Sequence, residues 1–261
     1  MSPCRFHTTG RQRAVILAAW CALFTAATPA GSSTAAPPDA APAAPAAEAN
    51  RHPTLRRLSR THEVWIDARA RRVIVGGEVA LDRGPIEVFA CPAGTKEHEA
   101  VVATNSTAQL VHVALLAIGL EPGHPVTFNP DYVPAAGPAV DVRVRWKDAA
   151  GTEQEARAGS WIRNAETGRQ LDVDFVFAGS TFWTDPLDGK EYYQADGGDL
   201  ICVSNFPTAT LDLPIESSQS NDALLFEAFA GRVPPPGTRV DLILVPMQPE
   251  AADAQLPGAR Q

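Results

Sequence analysis

Apolar and polar positions alternate most strictly in Val140 to Lys147 (VDVRVRWK). This period-two pattern predicts a strand, joined through Asp148 to Gly151 to a polar strand around Glu153 to Ala158 as an antiparallel hairpin. Glu63 to Asp67 and Arg72 to Leu81 carry β-branched residues on either side of a polar turn and predict a second strand pair. Strands are also expected at Ile86 to Cys91, His98 to Ala103, Asp174 to Ala178, Lys190 to Ala195, Asp199 to Ser204 and Thr238 to Val245. The pattern changes between Leu110 and Ile118, where nearly every position is apolar. Ser106 with Gln109 fits a capping box, and Gly119 followed by Pro122 supplies a stop, so a buried helix is predicted over about 106–118. A second helix is expected over about 222–230, between Ser220 or Asn221 and Gly231. Strand runs with two helices and no regular βαβ alternation predict an α+β domain, mostly antiparallel sheet.

The ends of the chain read differently. Residues 1–30 carry Arg5, Arg11 and Arg13, then an apolar run from Ala14 to Phe24, then small residues, which is the layout of a secretory signal peptide. The run falls short of the roughly 20 residues a spanning helix needs, so no stable membrane span is expected after cleavage. Cys21 is placed for lipid attachment, but bulky Trp20 stands where such signals need a small residue. Residues 31–50 are almost wholly Ala, Pro, Ser and Gly and are expected to form a disordered linker, as is a tail over 247–261. Between them, 51–246 is expected to be a single domain, in a protein that is secreted or periplasmic.

Charge narrows the partners. The chain carries 22 basic and 30 acidic residues, a net charge of −8; removing residues 1–30 takes away three basic and no acidic residues, leaving −11. Such a body argues against nucleic acid as a partner. Arginines crowd residues 51–83, which reads either as a solvated surface or as a docking patch.

Several segments together resemble one family: FACPAGTKEHEAVVA, LVHVALLAIGLEPGHPV, VRVRWKDAAGTEQEARAGSWIRN, and FAGSTFW through GKEYYQADGGDLICVSNFPTATLDLPIESSQSNDALLFEAF. In order, over roughly 62–246, they resemble the YdjY-type domain of secreted bacterial proteins. The resemblance implies the domain boundaries and export from a bacterial cell; it implies no activity, substrate or cofactor. Some relatives are linked to ferredoxin-like sequence with clustered cysteines, and this chain carries no such cluster.

Candidate chemistry centres on Cys91 and His98, seven positions apart across an expected hairpin. Opposed side chains in such a hairpin lie about 5 Å apart at Cβ. With Cys202 or His112 they offer thiolate and imidazole to one transition-metal ion, Zn or Cu. Two other readings stand beside this: a Cys91–Cys202 disulfide, natural in an exported protein, and two inert buried thiols. His112 reads either as a ligand or as a neutral core imidazole. Asp185, Asp188, Glu191, Asp196 and Asp199 are carboxylates that suit calcium, but they recur with glycine as ordinary turn residues. Trp65, Trp146, Trp161, Trp183, Phe182, Tyr192 and Tyr193 fill either a core or a ligand groove or partner face. Gly179 and Ser180 lack the glycine of a nucleophile elbow, and HExxH, P-loop and dinucleotide motifs do not occur. The sequence therefore leans away from an enzyme. It favours a binding or interaction module for an envelope protein or small ligand, ahead of a metal or redox module and of an unrecognised hydrolase.

Overall fold

The computed structural model describes residues 50–216 and 225–247. The expected signal peptide (1–30), the linker (31–50) apart from Asn50, and the tail (247–261) apart from Met247 lie outside the described residues. Strands come first: β1 (Arg56–Arg57), β2 (Val64–Asp67), β3 (Arg72–Val79), β4 (Gly84–Ile86), β5 (Val88–Pro92) and β6 (Ala100–Thr104). Helix α1 (Ala108–Ala117) follows, and then β7 (Ala139–Lys147), β8 (Glu153–Arg157), β9 (Ile162–Asn164), β10 (Phe175–Phe177), β11 (Phe182–Thr184) and β12 (Glu191–Tyr193). The last strands are β13 (Ile201–Cys202), β14 (Leu211–Asp212), β15 (Phe226–Ala228) and β16 (Arg239–Pro246).

Hydrogen bonding runs in the order β3–β16–β7–β10–β14–β13–β5–β6 and returns from β6 to β3, closing an eight-stranded barrel. Closure depends on β3 sharing one edge between two partners. Arg72 to Val75 pair with β2, and Gly77 to Val79 pair with β6. The interior is filled by the alternate residues Val140, Val142 and Val144 of β7, Val240, Leu242 and Leu244 of β16, and the rings of Phe89, Phe177 and Trp161. Burying one such side chain fully stabilises the fold by about 1.5–3 kcal/mol. A smaller three-stranded sheet, β4–β15–β9, stands apart from the barrel path. Among the described residues no helix is long and apolar enough to cross a membrane.

The expected α+β class is overturned: the domain is mostly β, with α1 as its one α-helix among the described residues. Residues 222–224 of the expected second helix lie outside the described residues, while Phe226–Ala228 form β15 between β4 and β9. The segment ALLFEAFA has good helix formers, but two open strand edges beside it supply backbone partners and override that weak preference. The first helix forms close to its expected place with a different cap: Thr107, not Ser106, accepts the bond from the Leu110 amide at 3.2 Å. Asp196, from far along the chain, accepts from the Gln109 amide at 2.9 Å. Nor is α1 buried all round, since Ala108, Val111, Ala114 and Leu115 face the core while Val113 and Leu116 are exposed. The hairpin of β7 and β8 forms as expected.

Candidate functional site

Of the four residues proposed as metal ligands, Cys91 and Cys202 share one buried cluster, while His98 and His112 stand elsewhere. β5 and β6 form no hairpin: they run parallel, joined by only seven residues, 93–99. In this register Val88 pairs with Ala100 and Cys91 with Ala103, so His98 precedes the ladder at the Val88 end while Cys91 lies toward the other. The His98 side chain is 77% exposed, with Glu99 as its acidic neighbour. Cys91 and Cys202 are free thiols, both fully buried in one small apolar cluster with Val88, Ala100 and Ala209. Burial pushes the Cys91 thiol up; burial, with the nearby carboxylates of Asp212 and Asp199, pushes Cys202 well up. Both are therefore held as neutral thiols, poor as nucleophiles or metal ligands at neutral pH. Among the described residues no group of three or more His, Cys, Asp or Glu is placed to hold a metal ion. Four of the five carboxylates considered for calcium are engaged elsewhere: Asp185 accepts from the Leu187 amide, Asp188 pairs with Lys190, Asp196 accepts from the Gln109 amide, and Asp199 pairs with Lys96.

The aromatic set divides sharply. Trp65 and Trp161 are core residues, and Trp146 packs edge to face on Trp161. Phe182, Trp183 and Tyr192 are instead about half exposed (55%, 48% and 45%) and belong to one hairpin, β11 with β12. Trp183 is directly opposite Tyr192, their rings 6.0 Å apart, and Phe182 is opposite Tyr193. At the turn between them Leu187 is 93% exposed. The turn is tied by the Asp185 amide to the Lys190 carbonyl and by the Gly189 amide to the Asp185 carbonyl. This hairpin belongs to no larger sheet.

An isolated two-stranded hairpin is marginal in water, so its base matters. Tyr193 reaches inward, 5% exposed, and its hydroxyl lies 2.8 Å from His112 Nδ1 and 3.0 Å from both the Gly179 carbonyl and Thr210 Oγ1. A carbonyl only accepts, so Tyr193 donates to Gly179 while His112 and Thr210 donate to the phenol oxygen. The four groups thereby link the hairpin to α1, to the end of β10 and to the segment before β14. Gly179 (φ 98°) and Ser180 (φ 53°) turn the chain out of the barrel, and Ser180 Oγ donates to the Thr208 carbonyl at 2.6 Å. Burial lowers the His112 pKa and raises that of Tyr193 to about 12, so both are neutral and act as a brace.

This brace has a pH signature. The unfolded chain takes up the His112 proton first as pH falls, because the folded value is the lower one; the stabilisation is full above about 6.5 and is lost as pH falls below it. Thermal unfolding of wild type should accordingly lose ground to that of His112→Phe between pH 7.5 and pH 5. A constant difference between them would show that His112 does not titrate in this window.

Sequence reasoning located all three exposed aromatics but could not separate them from the core tryptophans. The available signal was local: FWT and EYY flank DPLDGK, a turn sequence around a solvent-exposed leucine.

A closed barrel carrying a braced aromatic hairpin defines a β-barrel domain with a built projecting arm. The chain belongs to the YdjY domain family, whose model matches residues 64–245. Comparison with curated proteins gives no significant match, and neither does comparison with solved structures.

Proposed function

We propose that the protein is an exported, non-catalytic interaction module of the bacterial envelope, docking a protein partner through the β11–β12 hairpin. One observation carries this reading: Phe182, Trp183, Tyr192 and Leu187 stay exposed on an arm that Tyr193 and His112 hold in place. Exposing these side chains forgoes the stabilisation of burial, and Trp and Tyr are the residues that most often dominate binding energy once a partner covers them. Leu187 at the tip suits an apolar pocket. Asp185, Asp188 and Glu191 flank it against Lys190 alone, and Lys190 is already paired with Asp188. The complementary surface is therefore an apolar pocket with a lysine- or arginine-bearing rim, which would also speed encounter. The export layout of residues 1–30 supports the envelope location.

The test places a photo-cross-linking aromatic residue at Tyr192 in the native envelope, identifies the adduct and purifies the protein captured. That protein should bind wild type in a salt-sensitive way, and Trp183→Ala and Leu187→Asp should each weaken binding by about tenfold or more. Equal binding by these variants would overturn the proposal. So would a hairpin that partitions into phosphatidylglycerol vesicles and cross-links only to lipid.

A further inference from the structure

Six of the ten large apolar side chains exposed among the described residues gather in two neighbouring elements. Four are the hairpin residues Phe182, Trp183, Leu187 and Tyr192; the other two, Val113 (47% exposed) and Leu116 (44%), belong to α1. A surface helix ordinarily turns a charged or polar face to water. α1, with the sequence AQLVHVALLA, has no Asp, Glu, Lys or Arg at any position, and its exposed residues are Gln109, Val113, Leu116 and Ala117. Contiguous apolar exposure of this kind marks an interaction surface.

Helix and hairpin present these residues as one band. Residues follow one another around a helix at about 100° per step, which orders His112, Leu116, Gln109 and Val113 outward from the buried side of α1. His112, at the inner margin, meets Tyr193 edge to face with ring centroids 5.5 Å apart, and Phe182 in turn meets Tyr193 edge to face at 5.2 Å. Asp196, three residues beyond β12, accepts from the Gln109 amide and ties the same two elements at the start of α1. The exposed side of α1 therefore continues into the exposed aromatics of the hairpin.

Spacing and charge set what fits there. Gln109, Val113 and Leu116 are four and then three residues apart, the alternation by which one helix offers a straight seam to another. On the hairpin side the margin is acidic: Asp185, Asp188, Glu191 and Asp196 stand against Lys190, which is paired with Asp188. Beyond the far end of α1 come Arg71, which donates to the Ile118 carbonyl, and Glu121, of opposite sign. A hairpin of two three-residue strands is small beside the roughly 1,200–2,000 Å² that stable protein interfaces bury, and α1 supplies further area.

We infer that the partner docked by the hairpin presents an amphipathic helix, whose apolar face covers Val113 and Leu116 while Phe182 and Trp183 close against its side and its lysines or arginines meet the acidic hairpin margin. The inference rests on the hairpin reading above and extends its footprint to α1.

The test places benzoylphenylalanine separately at Gln109, Val113, Leu116 and Tyr192 of the full chain in its native envelope, cross-links by light and maps the partner residues joined. The same protein should be captured from Tyr192 and from the α1 positions, and the residues joined to α1 should fall three or four apart on one helix. Purified, that protein should bind Leu116→Gln about tenfold or more weakly than wild type, while Val173→Gln, at an exposed apolar position outside the band, should bind as wild type does. Capture from Tyr192 but not from α1, or full affinity of Leu116→Gln, would overturn the α1 footprint and leave the hairpin reading standing. A second copy of this chain, or lipid, joined at α1 would also defeat it, and joined residues scattered over strands or loops would rule out the helix. Capture from none of the positions would remove both readings.

Discussion

Replacing Gly77 with valine is expected to destabilise the domain by about 3 kcal/mol or more, the upper range for overpacking a tight site. A Cβ at this position would lie 2.4 Å from the backbone oxygen of Ala103 on the neighbouring strand. That neighbour is main chain, so relief requires β3 and β6 to separate, and their pairing is the step that closes the barrel. Urea denaturation with fluorescence detection checks the expectation. Wild-type stability in Gly77→Val would mean that closure tolerates a wider β3–β6 gap. A milder variant, Gly77→Ala, should fall in the same direction, because the clash begins at Cβ itself.

Asp212→Leu should also destabilise the domain, by a different route. The Asp212 carboxyl is fully buried on β14, where one oxygen accepts from the Leu213 amide at 2.8 Å and the other has no hydrogen-bond partner among the described residues. This bond fixes the chain at the end of β14, which pairs in parallel with β13 in the barrel wall. A buried donor left unmet costs about 1–3 kcal/mol, so leucine should destabilise by about that amount while Asp212→Asn keeps an acceptor in place. A pH series separates this role from simple packing. Burial, reinforced by Asp199, raises the Asp212 pKa well above 3.8. Above that pH the unfolded chain releases the proton and the folded chain retains it. Wild type should then lose stability relative to Asp212→Asn as pH climbs through the raised value. A pH-independent difference would mean that the carboxyl ionises freely in the folded state.

Both residues act at places that local reading could not reveal. Gly77 belongs to a Gly–Gly pair inside a recognisable strand, but nothing in RVIVGGEV states that β6 approaches there. Asp212 belongs to a strand of only two residues, too short to show a period. The expected hairpin between Cys91 and His98 did not form for a related reason. The segment joining Cys91 to His98 is as short as a hairpin loop, and parallel neighbours usually need a crossover of a dozen or more residues. A seven-residue link therefore reads as an antiparallel turn, yet the strands are parallel and the two side chains part company. The aromatic residues were visible individually; which of them faced solvent depended on an outward bend at Gly179 and Ser180 and on where Tyr193 found its partners.

Local patterning alone makes the longer elements legible: α1, the β7–β8 hairpin, β2 with β3, and β16, together with the family of the domain. In these runs enough consecutive side chains repeat the periodicity of one backbone conformation to make it legible from neighbours alone. Tertiary structure decided the rest: closure of the barrel through β3 and β6, conversion of Phe226–Ala228 from expected helix to strand, and burial of Cys91 and Cys202 as neutral thiols apart from His98. It also left three aromatics and a leucine exposed on the hairpin and set the outer face of α1 beside them. Each of these outcomes is set by contacts between residues far apart in the chain, whose energy is gained only when the strands meet and which therefore leave no periodic trace in either segment.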